Sequence, residues 1–209
     1  MQNEVYITYV KRTPMGKLAG ALASTRVDDL LAALFLNFKE YAKFDLKEID
    51  DVVVGCANQA GEDNRNLARM ALLLAGFPMD VPGTTINRLC GSSLDATIDA
   101  WARIRAGLAD CIVVGGAESM SRGPYVLSKS ETPFDRGQKM FDTTFGWRFP
   151  NPKMEQIFPL MGMGETAENI QTQTGINRER QDAFAFASHQ KAINAWKSGQ
   201  FKHEVLPVS

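Results

Sequence analysis

The sequence predicts an α/β fold with mostly parallel strand pairing. Strand-like and helix-like segments alternate strictly along the first 118 residues, which is typical of parallel sheets covered by helices. Two of the strand-like segments are mostly apolar: residues 51–56 are predicted to form a buried strand, and residues 111–116 a strand covered on both faces. Hydrophobic residues make up 44% of the 209 residues and charged residues 22%, so a core can form without metals or disulfides.

Four strands and three helices are predicted in this first region. β-branched and aromatic residues predict the first strand, and short apolar runs bounded by turn residues predict the others. The predicted strands are residues 5–9, 51–56, 84–87 and 111–116. The predicted helices are residues 27–41, 66–75 and 91–105.

Helical spacing and end signals support the three helices. Thr25 is a candidate N-cap of the first helix. The apolar face of this helix comprises Leu30, Leu34 and Phe38, with Leu31 and Phe35 beside them. Gly76 and Pro78 close the second helix. The third helix places three large apolar side chains on one face, namely Leu94, Ile98 and Trp101.

The sequence changes character after Glu118, and we place a domain boundary there. Residues 1–118 are predicted to form the α/β domain, and residues 119–209 form a second domain that is incomplete at its carboxyl end. Residues 119–160 are rich in Gly, Pro, Ser and aromatic residues and show little periodicity. An irregular stretch of that length is usually functional or extends to another subunit.

Helices are predicted again at residues 165–173 and 178–197. Asn177 is a candidate N-cap of the last helix, and Gly199 ends it. Its apolar face comprises Phe184, Ala187, the Lys191 stem, Ala192 and Trp196. The final residues, 205–209, resemble the start of another strand.

Charge and cysteine usage exclude several classes of function. The net charge is -1 and the pI about 6.1, so no strong attraction to nucleic acid or to an anionic membrane is expected. Cys56, Cys90 and Cys111 form no Cys-x-x-Cys pair and both histidines lie far downstream, so no metal site is predicted. Three cysteines without a disulfide framework fit a reducing compartment. We find neither a signal peptide nor a membrane span and predict a cytoplasmic location.

The most informative segment is Asn87-Arg88-Leu89-Cys90-Gly91-Ser92-Ser93, where a strand turns sharply into a helix. Cys90 lies at or near the first turn of that helix, where free N–H groups and the helix dipole favour a thiolate. The small residues that follow would allow a substrate to approach closely. The alternative is that Cys90 is a small buried hydrophobic residue. Cys56 and Cys111 lie in apolar strands, which favours a structural role.

This segment resembles the nucleophile motif of the thiolase family. Further matches to family motifs occur at residues 12–17 with 20–22, 115–121, 163–169, and 181–185 with 188–190. These ordered motifs cover nearly the whole chain. The resemblance implies a layered αβαβα fold built from two similar halves, of which this chain is the first half, with an inserted, mainly helical and irregular loop domain.

The resemblance also implies an acyltransferase mechanism in which Cys90 is the nucleophile and coenzyme A is a co-substrate, with no covalently bound cofactor. The backbone N–H of Cys90 would donate to the thioester oxygen of the intermediate. Leu89 and Met163 match positions that line the acyl pocket, although both could equally be core residues. The residues that contact coenzyme A are not assigned. Family members are dimers or tetramers, so a homo-oligomer is expected.

The branch of the family is indicated by residues 142–149 with Asn151 and Pro152, which resemble a segment of 3-oxoadipyl-CoA thiolases. Gly162 stands where acetoacetyl-CoA thiolases usually have a histidine before the Met-Gly pair. This difference counts against the acetoacetyl branch. A broad degradative 3-ketoacyl-CoA thiolase is the other branch that fits.

Three readings of the chain follow. The family's second half carries a Gly-His-Pro histidine, a second cysteine and an asparagine, and none of these motifs occurs in the 209 residues. The chain alone is therefore expected to be an inactive part of a thiolase. A second hypothesis is a catalytically silent half that acts only by association. A third, a cysteine hydrolase, would require His189 or His203 near Cys90.

Overall fold

The computed structural model describes residues 4–208, which form two compact units. The first unit comprises the described residues up to Pro124 together with residues 206–208. The second unit is Tyr125–Val205. None of the helices in the described part of the chain combines the length and apolar character that crossing a membrane requires.

The first unit contains a parallel sheet of three strands, which confirms the predicted α/β class. The strands are β1 (Asp51–Gly55), β2 (Gly83–Ile86) and β3 (Ile112–Gly116), in the spatial order β2-β1-β3. In the centre of the sheet Val53 pairs with Thr84 of β2 and Val114 of β3. Because all three strands run in one direction, the loops that follow them emerge at the same edge of the sheet.

Three helices pack around this sheet: α1 (Val27–Tyr41), α2 (Leu67–Leu74) and α3 (Ser92–Arg105). All three were predicted to within two residues at each end. The expected cap of α1 was wrong, because the N-cap is Arg26 and not Thr25. An N-cap side chain must reach the first free N–H groups of the helix, and Thr25 lies one residue too early. Arg26 instead pairs with Asp28 in the first turn at 2.8 Å.

Every residue of β1 is buried, so the central strand is covered on both faces. Successive side chains of a strand point to opposite faces. Val52 and Val54 belong to the core cluster that α1 and α2 complete, whereas Val53 points to the other face, where α3 packs. The α1 and α2 side chains in this cluster include Leu31, Phe35, Phe38, Leu67 and Leu72.

The expectation that β3 is covered on both faces was wrong. Val114, on the same face of the sheet as Val53, is 36% exposed. In the three-stranded sheet β3 is an edge strand, so it has a neighbour on one side only. The face of α3 that carries small side chains, including the buried Ala96 and Ala100, packs against the sheet. The large apolar side chains on its other face are exposed: Leu94, Ile98 and Trp101.

The predicted strand at residues 5–9 was also wrong, since this segment joins no ladder in the described residues. The Tyr9 ring packs against Phe38 and Tyr41, and its hydroxyl donates to Asn37 Oδ1 at 2.6 Å. A strand needs a neighbour that supplies backbone partners, and an apolar pattern cannot report whether one is present. Of the strand start predicted at residues 205–209, Val205 forms only an isolated bridge, residues 206–208 form no strand, and Ser209 lies outside the described residues. The Leu206 N–H donates to the Arg12 carbonyl at 2.8 Å.

The second unit contains a short antiparallel hairpin and three helices. The strands are β4 (Tyr125–Leu127) and β5 (Met140–Asp142), and the helices are α4 (Pro152–Ile157), α5 (Met163–Thr174) and α6 (Arg178–Lys197). The predicted helices correspond to α5 and α6, and the Asn177 cap of α6 is confirmed, because its side chain accepts from the Arg180 N–H. The hairpin and α4 lie in the stretch that was expected to be irregular.

Candidate active site

The turn between β2 and α3 exposes the Cys90 thiol at the carboxyl edge of the sheet. Cys90 immediately precedes Gly91, the N-cap of α3, so it lies just outside the first helical turn. The residue before it, Leu89, has a φ of 51°, in the left-handed region that side-chain-bearing residues rarely adopt. The chain therefore reverses sharply here and carries the thiol outward.

A set of short hydrogen bonds holds this conformation. The Ser92 hydroxyl accepts from the Arg88 N–H at 2.9 Å and donates to the Leu89 carbonyl at 2.5 Å. The Asn87 Oδ1 accepts from the Leu89 N–H at 2.8 Å. An ion pair of 2.6 Å between Arg88 and Asp95 links the turn to the helix that follows. The residues on both sides of Cys90 are thus fixed while its side chain stays exposed.

Two glycines let the start of α3 lie directly on the sheet. A methyl group on Gly55, the last residue of β1, would overlap the backbone of Ser92 and Ser93. One on Gly116, the last residue of β3, would lie 2.9 Å from the Ser93 Cβ, closer than carbon atoms approach without strain. Any side chain at these strand ends would push the helix start, and Cys90 with it, away from the sheet.

Glu118 lies at the same edge, and its role was not predicted from the sequence. Its carboxylate accepts from the N–H groups of Ala57 and Asn58 at 2.8 and 3.1 Å. The Ala57 carbonyl in turn accepts from Asn87 Nδ2 at 2.9 Å. A charged residue two positions after an apolar strand ending in Gly-Gly is the available sequence signal, but it does not identify the partners.

The three cysteines lie in different environments. Cys56 is buried, and burial, with a smaller contribution from the nearby Glu118 carboxylate, raises the pKa of its thiol to about 12. Burial also raises the pKa of Cys111, with Asp50 adding to the shift. Cys90 is the exposed one of the three. Cys56 and Cys111 were predicted to lie within strands, but Cys56 directly follows β1 and Cys111 directly precedes β3, and both are less exposed than Cys90.

Within residues 4–208, one group of side chains has the spacing of a metal site: Cys56, Asp63 and Glu118, whose ligand atoms lie within 4.8 Å of one another. Both Glu118 oxygens accept backbone N–H groups, and Asp63 accepts from the Gly61 N–H at 2.9 Å. The Cys56 thiol stays protonated at neutral pH because of its raised pKa. Hydrogen bonding to the backbone accounts for this cluster without a metal ion.

The two predicted pocket residues are both exposed, which is contrary to the alternative that they belong to the core. Leu89 is 72% exposed beside Cys90. Met163 is 82% exposed and is the first residue of α5, in the second unit. Both histidines also belong to the second unit, so the unit that holds Cys90 has no histidine. A cysteine–histidine pair inside the first unit is therefore excluded.

Comparison with known proteins identifies the family. The family model described as the thiolase N-terminal domain matches residues 5–209. A β-ketoadipyl-CoA thiolase of Acinetobacter baylyi is 52% identical over 208 residues, which are 98% of this chain and 51% of that protein. The 3-oxoadipyl-CoA/3-oxo-5,6-dehydrosuberyl-CoA thiolase of Escherichia coli K12 is 52% identical over 206 residues, with the same coverage.

The crystal structure of the Bacillus anthracis acetyl-CoA acetyltransferase gives a TM-score of 0.84 at 33% identity. That match covers 96% of this chain and 49% of the other. The chain thus spans about half the length of the curated relatives it matches. Both the sequence match and the shared fold extend over nearly all of its residues, and the chain belongs to the thiolase family.

Proposed function

We propose that this chain is the nucleophile-bearing half of a thiolase, an acyl-CoA acyltransferase that cleaves a 3-oxoacyl-CoA with coenzyme A as co-substrate. One observation carries the proposal. The exposed Cys90 thiol lies on a tight turn at the start of α3, within a segment that the thiolase family model matches. No covalently bound cofactor is needed for this chemistry.

The reaction has two covalent steps. In the first, the Cys90 thiolate attacks the 3-keto carbon of the substrate, and the bond between C2 and C3 breaks. The electron pair of that bond remains on C2, which takes up a proton, and acetyl-CoA leaves. In the second step free coenzyme A gives its thiol proton to a base, which replaces the proton taken up at C2, and its sulfur attacks the acyl-cysteine. This releases the shortened acyl-CoA and restores the thiolate.

The turn can also stabilise the oxygen that becomes negatively charged. The N–H groups of Leu89, Gly91 and Ser92 donate to acceptors inside the turn. The Cys90 N–H lies beside its own sulfur, immediately before the N-cap of α3, and would donate to a substrate oxygen held there. A single oxyanion donor typically contributes about 10²–10³-fold to the rate. The general base and a second donor would come from a separate half.

The substrate proposed is 3-oxoadipyl-CoA or a related dicarboxylic 3-oxoacyl-CoA. The relatives from Acinetobacter and Escherichia that share 52% of their aligned residues with this chain are named for such substrates. Leu89, exposed beside Cys90, is proposed to contact the acyl chain, and Met163 is proposed separately as an acyl-contacting residue of the second unit. A broad degradative 3-ketoacyl-CoA thiolase is the second candidate, since the acyl-CoA chemistry is the same.

The protein is further proposed to be a cytoplasmic homo-oligomer, a dimer or tetramer. The second unit exposes many aromatic side chains, and surfaces of this kind are typical of contact sites. The most exposed is Phe134, at 99%. Light scattering tests this part of the proposal, and a monomer at high protein concentration would contradict it.

Thiolysis tests the proposed reaction. The purified chain is mixed with coenzyme A and 3-oxoadipyl-CoA, with and without a separately expressed second half from a relative, and Cys90→Ser is the control. We expect no measurable turnover by the chain alone, because a missing base and oxyanion donor together cost on the order of 10⁴–10⁷-fold. Turnover that appears only with the second half, and is lost in Cys90→Ser, supports the proposal.

The other outcomes are also informative. Turnover by the chain alone that depends on Cys90 would show that the base lies within these 209 residues. An assembled pair whose activity survives Cys90→Ser would favour the second hypothesis, a silent half that acts only by association. Comparing 3-oxoadipyl-CoA with acetoacetyl-CoA in the active pair tests the choice of substrate.

A further inference from the structure

A chain of hydrogen bonds joins the three loops that follow the parallel strands. It starts at Glu118, after β3, whose two carboxylate oxygens accept the N–H groups of Ala57 and Asn58, after β1. Two backbone donors converge on one side chain here, and only a carboxylate offers an acceptor oxygen to each. The carboxylate therefore fixes the position of the loop that follows β1.

The chain continues through Asn87, after β2. Its Nδ2 donates to the Ala57 carbonyl at 2.9 Å, and its Oδ1 accepts from the Leu89 N–H at 2.8 Å. Because one partner is an acceptor and the other a donor, the orientation of the Asn87 amide is determined. Asn87 thus transmits the position of the Ala57 loop to the residue that precedes Cys90.

Leu89 is the residue that most needs such support. Its φ of 51° is unfavourable for a residue that carries a side chain. The Leu89 backbone therefore keeps this conformation only while neighbouring contacts hold it. If the Asn87 bond weakens, Leu89 can leave this conformation and turn Cys90 away from the start of α3. The conformation of the thiol therefore depends on a carboxylate that does not itself touch it.

We propose that Glu118 is a positioning residue for Cys90, acting through Ala57, Asn87 and Leu89. Its link to turnover rests on the proposed thiolase function. Its effect on the Cys90 thiol does not, because alkylation of that thiol requires neither coenzyme A nor a second half. Failure of the inference and failure of the proposed function can therefore be distinguished.

The opposite edge of the sheet offers a matched control. Asp50, just before β1, accepts from the N–H groups of Asp110 and Cys111 through Oδ2, at 2.7 and 3.0 Å. These backbone hydrogen bonds lower the pKa of the Asp50 carboxyl. Asp50→Asn removes the charge but can keep both bonds through its one amide oxygen, so it controls for the loss of a negative charge at the edge of the sheet opposite Cys90.

The experiment compares Glu118→Gln, Glu118→Asp, Asn87→Ala, Asp50→Asn and the double variant Glu118→Gln/Asn87→Ala in the 209-residue chain. Each is treated with limiting iodoacetamide at neutral pH, and peptide mass spectrometry gives the labelling rate of each cysteine. Hydrogen exchange of the Leu89 amide is measured in parallel. Thermal melting identifies variants that are not folded.

We expect Glu118→Gln to slow Cys90 labelling by about three- to tenfold and to speed exchange of the Leu89 amide, since the new amide group turns a donor toward a backbone N–H. Asn87→Ala should produce the same change. The double variant should be no slower than either single one, because the two residues act in series. Glu118→Asp keeps both oxygens on a shorter side chain and should recover part of the rate.

Asp50→Asn should leave Cys90 labelling within twofold of the unchanged chain. An equal slowing in Asp50→Asn would show that loss of a negative charge anywhere on the sheet edges explains the effect, and it would overturn the inference. The inference would also be overturned if the slowing of Cys90 labelling in the double variant equalled the product of the two single-variant effects. If Glu118→Gln does not fold, Glu118→Asp provides the test instead. Unchanged Leu89 amide exchange together with unchanged Cys90 labelling in Glu118→Asp would also contradict the proposal. Low Cys90 reactivity in the unchanged chain would count against the proposed function.

Discussion

The two units of the chain form helices equally well but differ in what they bury. All buried hydrophobic side chains of the described residues lie between Val27 and Ala109, in the first unit. The second unit buries Thr143 and no hydrophobic residue, although its α6, with 20 residues, is longer than any helix of the first. Helix formation and core formation are therefore separate properties in this chain.

The difference follows from what each helix packs against. In the first unit α1 and α2 bury Leu31, Phe35 and Leu72 against each other and the sheet. In the second unit the aromatic side chains remain exposed: Tyr125, Phe134, Phe145, Trp147, Phe149, Phe158, Phe184, Phe186 and Trp196. Local signals such as the Asn177 cap of α6 are enough to place a helix, but they do not supply a partner surface.

A matched pair of phenylalanines gives the largest expected contrast. Phe35→Ala in α1 should lower the free energy of unfolding by about 3–5 kcal/mol, because it leaves a cavity in the core. Phe184→Ala in α6 should change it by less than about 0.5 kcal/mol, since the side chain is 79% exposed and alanine favours a helix. Urea unfolding at low protein concentration measures both values.

The same two variants can also contradict the conclusion that only the first unit buries hydrophobic side chains. A loss above about 1.5 kcal/mol for Phe184→Ala would mean that α6 is covered in solution, by another copy of the chain or another surface. Repeating the titration at several protein concentrations would separate these cases, because stability gained from association depends on concentration.

Two glycines give a contrast of intermediate size that also reports on the site. Gly55→Ala should lower stability by about 3 kcal/mol, the upper end of the range for overpacking, because the methyl group meets the backbone of α3. It should also alter Cys90 labelling. Gly164→Ala, in α5, meets nothing within 4 Å and should stabilise the chain by about 0.5–1 kcal/mol.

Melting temperature and Cys90 labelling, measured together, check this pair. A stable Gly55→Ala variant with unchanged labelling would show that the start of α3 does not need close contact with β1. Destabilisation by Gly164→Ala would instead show that the second unit packs something against α5.

Features that depend on local spacing were predictable from the sequence. The cap of α6 at Asn177, the buried strand β1 and the sharp turn before Cys90 each follow from residues close to one another. Features that depend on partners distant in sequence were not. The unpaired segment at residues 5–9, the exposed face of β3 and the role of Glu118 are all set by contacts, or missing contacts, across the fold.

Two arginine–aspartate pairs provide the smallest expected effects. Asp51, buried at the start of β1, binds Arg103 at 2.8 Å and also accepts from the Val52 N–H. Asp51→Asn should cost about 1.5 kcal/mol, the low end for a hydrogen bond to a charged group, because Asn can still accept from Val52. The second pair, Arg178 and Asp182 on α6, is exposed, with a distance of 2.9 Å.

Asp182→Asn should leave the urea midpoint unchanged within error, because solvent and salt screen an exposed pair and ordering two long side chains offsets its attraction. Both variants are measured at low and at high salt. The Asp51 effect should persist at high salt, since that carboxylate is largely removed from water. A clear, salt-resistant loss for Asp182→Asn would place that pair in a covered environment. The second unit would then also bury part of its side chains, and the contrast in burial between the two units would be smaller.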